Sequence, residues 1–277
     1  MPAQSLFACL ASYDSGYAGK RMGCGPKALL DCALTPAAQA SGVSLQVEEI
    51  AVAGECPGEI QAAFSLCRQI SQRVHRHRAD RDFPVVLSGN CNAAVGALAG
   101  LQSPTTGVIW FDAHGESTTP ETTTSGFLDG MGISIMTGQC WRSLAGSIPG
   151  FKPLAGNKLL LIGARDLSPD EIRLQDEIGV IRAESRDLAQ QKIGELAEQV
   201  DSVYLHFDFD VLDPAEGTAN QWRVPHGLSL HDILAILGTI RAQLPVHGFG
   251  IASYDPAQDT DRRVMQAAAA VTRALLV

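Results

Sequence analysis

Apolar residues in this chain come in short continuous runs, set between stretches with helical spacing. The runs "LFACLASY", "LQVEEIAVAG", "FPVVLSG", "GVIWFDAH", "KLLLIGAR", "VYLHFDFDVL" and "VHGFGIASYDP", with a weaker "GVIRA", are rich in Val, Ile, Leu and Phe. They barely alternate with polar residues, as strands covered on both faces do. Between them, "EIQAAFSLCRQISQRVHRH" places Ile60, Phe64, Cys67 and Ile70 along one helical face. "SLHDILAILGTIRAQL" opens with a Ser N-cap at position 229, and "DRRVMQAAAAVTRALLV" is an Ala-rich terminal helix. Strand and helix alternate throughout, which predicts an α/β fold on a mainly parallel sheet.

No composition break, long linker or internal repeat divides residues 1–277, so the pattern predicts one domain. The longest stretch without a clear element is "GESTTPETTTSGFLDG", residues 115–130. Long irregular loops in compact domains tend to carry function. This one follows directly on an acidic strand end.

The strand ends hold the chemistry. In parallel sheets, ligands collect where strands deliver their carboxyl ends. Here those ends carry Asn90 and Cys91, then Asp112, His114 and Glu116, then Asp208 and Asp210, and finally Ser253, Tyr254 and Asp255. Residues two apart on an extended chain share a side, so each acidic set is expected to line one wall. Carboxylates converging in one crevice repel each other and lose hydration unless a cation compensates. Carboxylates with one imidazole suit Mn²⁺ better than a thiolate-rich zinc site does.

Composition narrows the partners. A net charge of -9 argues against a nucleic-acid or anionic-membrane surface. The one basic run, "RVHRHRADR" at 73–81, reads as the solvated end of a helix, and His75, His77, His231 and His247 as surface or helix residues. No apolar run is long enough for a membrane span. The seven cysteines, at 9, 24, 32, 56, 67, 91 and 140, are odd in number and include no CxxC pair. With a start that lacks a basic, then apolar, leader pattern, they predict a reducing, cytoplasmic setting.

"WFDAHGE" together with "HFDFDVLDP" resembles the two metal-binding signatures of the arginase (ureohydrolase) family. "TTPETTTSGFLDG" resembles the family's substrate loop, "LIGARDLSPDE" its following strand and loop, and "LSGNCNAAVGAL" stands where a Gly-Gly-Asp-His segment is usual. The resemblance implies a three-layer α/β/α fold with an eight-stranded parallel sheet. It also implies a manganese site of one or two ions that activates water against a guanidinium carbon. By that resemblance Asp112 and Asp208 bridge two metals, His114 and Asp210 complete one, and Cys91 and Glu116 complete the other. Thr118, Ser125, Ser168 and Glu171 match positions that hold the substrate's amino-acid end or line the pocket. A homo-oligomer is compatible with the family.

The sequence departs from the pattern at five places. Asn90 stands where Asp is usual, and Cys91 replaces a metal-binding His. Cys91 either ligates as a thiolate, which favours softer metals than Mn²⁺, or simply packs and leaves one metal weakly bound or absent. Glu116 replaces Asp and moves the carboxylate by about 1.5 Å at the same metal. Asp129 stands where arginases place a proton-shuttling His; it either shuttles with a raised pKa or caps "GMGISIMTGQCW". Ser253 stands near the glutamate that accepts the guanidinium, and its lack of charge weakens plain guanidine binding. Cys91 and the "PETT" stretch are similar to the Nω-hydroxy-L-arginine hydrolases, which release hydroxyurea and ornithine. The expected function is therefore hydrolysis of a linear C–N bond in a guanidino or N-hydroxyguanidino small molecule, releasing urea or hydroxyurea. A family hydrolase of formimino or amide compounds, or a degenerate ligand-binding member, are the alternatives. Residues 222–226 ("WRVPH") are expected at the pocket's border.

Overall fold

All eight apolar runs become strands of one sheet. The computed structural model describes residues 5–53, 58–79 and 81–276. Cys56 and the expected segments' Gly54, Asp80 and Val277 lie outside the described residues; the six described cysteines are free thiols. The strands are β1 (Ser5–Ala11), β2 (Ser44–Glu49), β3 (Phe83–Ser88) and β4 (Thr106–Phe111), then β5 (Leu159–Ile162), β6 (Ile181–Ala183), β7 (Ser202–Asp208) and β8 (Val246–Ala252). Their order across the sheet is β2-β1-β3-β8-β7-β4-β5-β6, and each pairing is parallel.

The main helices are α1 (Glu59–Ala79), α2 (Ala93–Leu101), α3 (Pro169–Ile178), α4 (Arg186–Ala197), α5 (Leu230–Gln243) and α6 (Arg263–Leu276). Alternate strand residues feed two cores. Leu6, Ala8 and Leu10 of β1 face α4, α5 and α6, while Phe7, Cys9 and Ala11 face α1 and α2. Both faces of the central strands are therefore buried, which is why those runs read as continuously apolar. The result is a three-layer α/β/α architecture. In α2, a Cβ at Gly96 would sit 2.5 Å from the Cys67 carbonyl oxygen, so glycine is what lets α1 and α2 approach so closely.

Helix starts follow local chemistry. Ser229 accepts from the Asp232 N–H, and Asp232 completes a capping box at the head of α5. Ser168 and Glu171 do the same at the head of α3. Some expectations need correction. Ile60 is 38% exposed, whereas Phe64, Cys67 and Ile70 are buried. Ile60 sits in the first turn of α1, before that face reaches the core. His77 lies in a helix but is buried, stacked on Phe7. The run "VYLHFDFDVL" leaves the strand at Asp208, because the Asp208 carboxylate accepts the Asp210 N–H and folds 209–211 into a 3-10 turn. No helix of the described residues is long and apolar enough to cross a membrane.

Candidate metal centre

Four adjacent strands, β3, β8, β7 and β4, deliver their carboxyl ends to one place. Phe111 pairs with Phe207, so Asp112 and Asp208 emerge side by side. Ala252 pairs with Asp208, which brings Ser253 in behind. The acidic sets converge, though not by strand alternation. Asp112, His114 and Glu116 lie beyond the end of β4, and Glu116 has a left-handed backbone (φ 51°).

One half of the cluster is densely bonded. Asp112 accepts from the His114 N–H at 2.8 Å and from the Trp110 indole at 2.9 Å. The His114 Nδ1 lies 3.2 Å from Asp112 and 3.3 Å from Asp210. Asp210 also accepts from the Ala113 N–H at 3.1 Å and from the Asn220 amide at 3.1 Å. That amide reaches Asp208 at 3.4 Å and the Ser253 carbonyl at 3.1 Å as well. Ligand atoms of Asp112, His114 and Asp210 fall within 4.8 Å of one another, close enough to share an ion.

The other half is sparser. Cys91, Asp112 and Glu116 form a second such group. The Cys91 thiol lies 3.4 Å from Asp208 and 3.2 Å from the Ser253 hydroxyl. Glu116 Oε2 is buried with no hydrogen-bond partner. An orphaned buried carboxylate oxygen is costly, and an ion or a proton is what it calls for.

Electrostatics separates the members. Burial, then the Asp210 charge, pushes Asp112 up to about 6. Burial, followed by the neighbouring acids, drives Asp208 and Glu116 well above the carboxylate range. Burial and the Asp208 charge likewise hold Cys91 as a thiol. Burial alone would raise Asp210 too, but His114 against it wins and holds it low. The same pairing overcomes burial at His114 and lifts the imidazole to about 12. An Asp210–His114 ion pair thus sits inside a set of acids that lack a counter-charge.

Asp129 does not cap the helix that follows it. The 3-10 turn at 129–131 has Leu128 at its head, with no side-chain cap. The Asp129 carboxylate instead accepts the Asn92 N–H at 2.9 Å and the Asn90 amide at 2.8 Å, fastening the loop that carries Cys91. Burial pushes it up to about 7. The same loop depends on Gly89, where a Cβ would lie 2.0 Å from the Tyr13 carbonyl oxygen. Gly89→Ala is expected to destabilise the protein by about 1–3 kcal/mol through overpacking. A urea midpoint indistinguishable from the parent's would show that the loop gives way freely.

A cavity of about 440 Å³ opens over these groups. Thr118, Ser125, Ser168 and Glu171 line it, as does Ser253 on its floor. Glu171 is engaged by the Ser117 N–H and by Ser168, so its carboxylate fixes the wall. Trp222 stacks on Phe127 at the rim and is the one residue of the expected 222–226 stretch that lines the cavity. No lysine or arginine lines this cavity among the described residues. Asn220, Trp110 and Arg165 were not singled out from the sequence. Arg165 donates to the carbonyls of Asp210 and Val224 at 2.9 and 2.7 Å and so pins the turn after β7.

The sequence profile of the arginase family matches residues 8–277. The chain belongs to the arginase family. The arginase of Neurospora crassa is 30% identical over 189 residues, 62% of this chain and 53% of that one, so the chain spans about half the length of that relative. The crystal structure of arginase from Bacillus subtilis superposes with a TM-score of 0.88 at 25% identity, covering 98% of each chain. The Entamoeba histolytica arginase, solved in complex with L-ornithine, gives a TM-score of 0.83 at 20% identity, covering 100% of this chain and 99% of that one. Arginase-family proteins are hydrolases of C–N bonds, and in this member the donor set fits a divalent cation. Uncompensated acids and the orphaned Glu116 oxygen are the grounds for that fit.

Proposed function

We propose that this chain is a manganese-dependent hydrolase that cleaves a linear C–N bond in a guanidino or N-hydroxyguanidino compound, releasing urea or hydroxyurea. The observation that carries the reading is the bonded set of His114, Asp208 and Asp210, which line an acidic cavity, with Asp112 buried directly behind them. These four would hold the first ion, and Cys91 with Glu116 would contribute to a second, more weakly held one. The ion supplies the charge that lets a water lose its proton near neutral pH.

The chain's own groups do the rest. Asp129, pushed up to about 7 by burial and lining the cavity, can exchange a proton near neutral pH and so serve the leaving nitrogen. Ser125, with Thr118 and Ser168, presents hydroxyls to the far end of the substrate. At the reacting end, Ser253 offers a hydroxyl where a guanidinium needs a carboxylate, which favours a less basic N-hydroxyguanidine. The same observation supports a formimino or amide substrate as the second reading. Free cysteines support a cytoplasmic setting, and assembly into a homo-oligomer fits the family.

Protein purified without chelator is expected to carry about one manganese per chain, with a second ion entering only at millimolar concentration. Cys91→His is expected to raise the content to about two, since imidazole suits manganese better than a buried thiol. Urea or hydroxyurea release from arginine, Nω-hydroxyarginine and agmatine then assigns the substrate. No bound ion together with no thermal shift at millimolar Mn²⁺ would sink the reading.

A further inference from the structure

A cleft of about 910 Å³ lies at the amino-terminal ends of β1, β3 and β8, the opposite end of the sheet from the acidic centre. Its floor is apolar, built from Leu6, Phe83, Val246 and Leu276. Its charged lining is Arg78, Arg81, Arg241 and His247, with Asp82 the one acid. Asp82 is already engaged. Its carboxylate lies 2.8 Å from the His77 Nδ1 and accepts the Ser5 hydroxyl, while the His77 Nε2 lies 3.1 Å from Glu48. Asp82 therefore turns its carboxylate to His77 and Ser5 rather than to Arg78 or Arg81.

Helices α1, α5 and α6 all end here, and basic side chains often answer the partial negative charge of helix ends. Arg241 does so, donating to the Ala274 carbonyl at 2.7 Å. Arg78 does not. Its Nη2 lies 3.2 Å from the His247 Nδ1, a neighbour that becomes a like charge if protonated. Among the described residues, neither Arg78 nor Arg81 meets a carboxylate. Burial, then Arg78 itself, holds His247 below its ordinary range, so the pair keeps its hydrogen bond by leaving the imidazole neutral.

We propose that this cleft is a second binding site, taking a small aliphatic monocarboxylate. Its head group sits against Arg78, Arg81 and His247, and its chain lies on the apolar floor. A guanidinium matches a carboxylate with paired hydrogen bonds, and the partly buried setting strengthens them. The volume suits a small organic molecule. No residue of this lining belongs to the acidic cavity, so the site is separate from the reaction.

Calorimetric titration of the full chain with n-hexanoate, hexan-1-amine and inorganic phosphate tests this. Hexanoate is expected to bind at one per chain, with the amine and phosphate at least about tenfold weaker. Arg78→Gln with Arg81→Gln is expected to weaken hexanoate by about tenfold or more. Arg81→Gln alone, at an exposed position, is expected to weaken it about threefold, and serves if the double variant folds poorly. Asp208→Asn is expected to leave hexanoate binding unchanged. The proposal is overturned by absence of saturable heat, by amine or phosphate binding as tightly as hexanoate, or by full affinity in the arginine variants. Loss of binding in Asp208→Asn would also overturn it, by moving the ligand to the acidic centre.

Discussion

Asp208→Asn and Asp210→Asn are expected to move the stability of the metal-free protein in opposite directions, and both are expected to abolish tight cation uptake. The two residues stand two positions apart and share the Asn220 amide, yet their surroundings differ in sign. Burial and the neighbouring acids push Asp208 well up, so the fold favours its neutral form. Asparagine mimics that form, and Asp208→Asn is expected to be neutral or mildly stabilising without metal. Asp210 is held low by His114 at 3.3 Å despite its burial. Replacing it leaves a part-buried imidazolium with Asp112 as its one remaining carboxylate, at 3.2 Å, which costs up to about 3 kcal/mol. At this chain length that is a fall of up to about 6 °C in melting temperature. The metal response is the common feature. Mn²⁺ at about 1,000 times its Kd stabilises the parent by about 4 kcal/mol, and neither variant should gain more than about 1 kcal/mol at the same concentration. Urea melts with EDTA and with Mn²⁺ measure both effects. Equal destabilisation by the two substitutions would mean that the His114–Asp210 ion pair is not the anchor of the cluster.

The fold was legible because the signals that build it are local. The central strand runs are buried on both faces, so their apolar continuity survives in the sequence. Even the short, half-buried Ile181–Ala183 edge strand shows as "GVIRA", while the other edge, Ser44–Glu49, is largely exposed and correspondingly more polar. Ser229 could be read as a cap because capping chemistry involves residues three apart. The cluster's membership was legible for a different reason, since strand ends in a parallel sheet face one crevice whatever the pairing order. What the chain does after the strands was not. Asp112, His114 and Glu116 converge through a turn and a left-handed residue, and strand alternation describes neither. Asn220 joins Asp208, Asp210 and Ser253 from a loop with no periodicity, and a lone Asn among small residues carries no signal of that place. Asp129 was visible only as an alternative between shuttle and cap, because its partners Asn90 and Asn92 lie on another strand's loop. His77 shows the same limit. A histidine inside "RVHRHRADR" looks solvated until Phe7, Asp82 and Glu48 are known to surround it.

Stability of the metal-free protein is expected to fall as pH rises from 5 to 8, and saturating Mn²⁺ is expected to remove most of that fall. Asp112 is raised from 3.8 to about 6 and Asp129 from 3.8 to about 7, each chiefly by burial. In this interval the folded chain holds protons that the unfolded chain has released, so raising pH favours unfolding. The contribution is complete below 3.8 and is lost through about 6 and about 7. His114 adds to the same trend, because its folded value of about 12 lies above the unfolded 6.5. Between pH 6.5 and 8 only the unfolded imidazole gives up its proton. Asp210 works the other way, but its folded value lies below 3.8, so its change is finished before pH 5. Asp112 and Asp129 alone account for about 4 kcal/mol between pH 5 and 8, at 1.36 kcal/mol for each pKa unit. Urea midpoints at pH 5, 6.5 and 8 in EDTA should therefore decline steadily. A bound divalent ion favours the ionised acids and reverses the linkage for the ligands it touches, leaving Asp129 and surface groups to set a shallow residual slope. An EDTA-treated protein as stable at pH 8 as at pH 5 would mean these acids ionise without a cation, and the electrostatic case for a metal centre would fall with it.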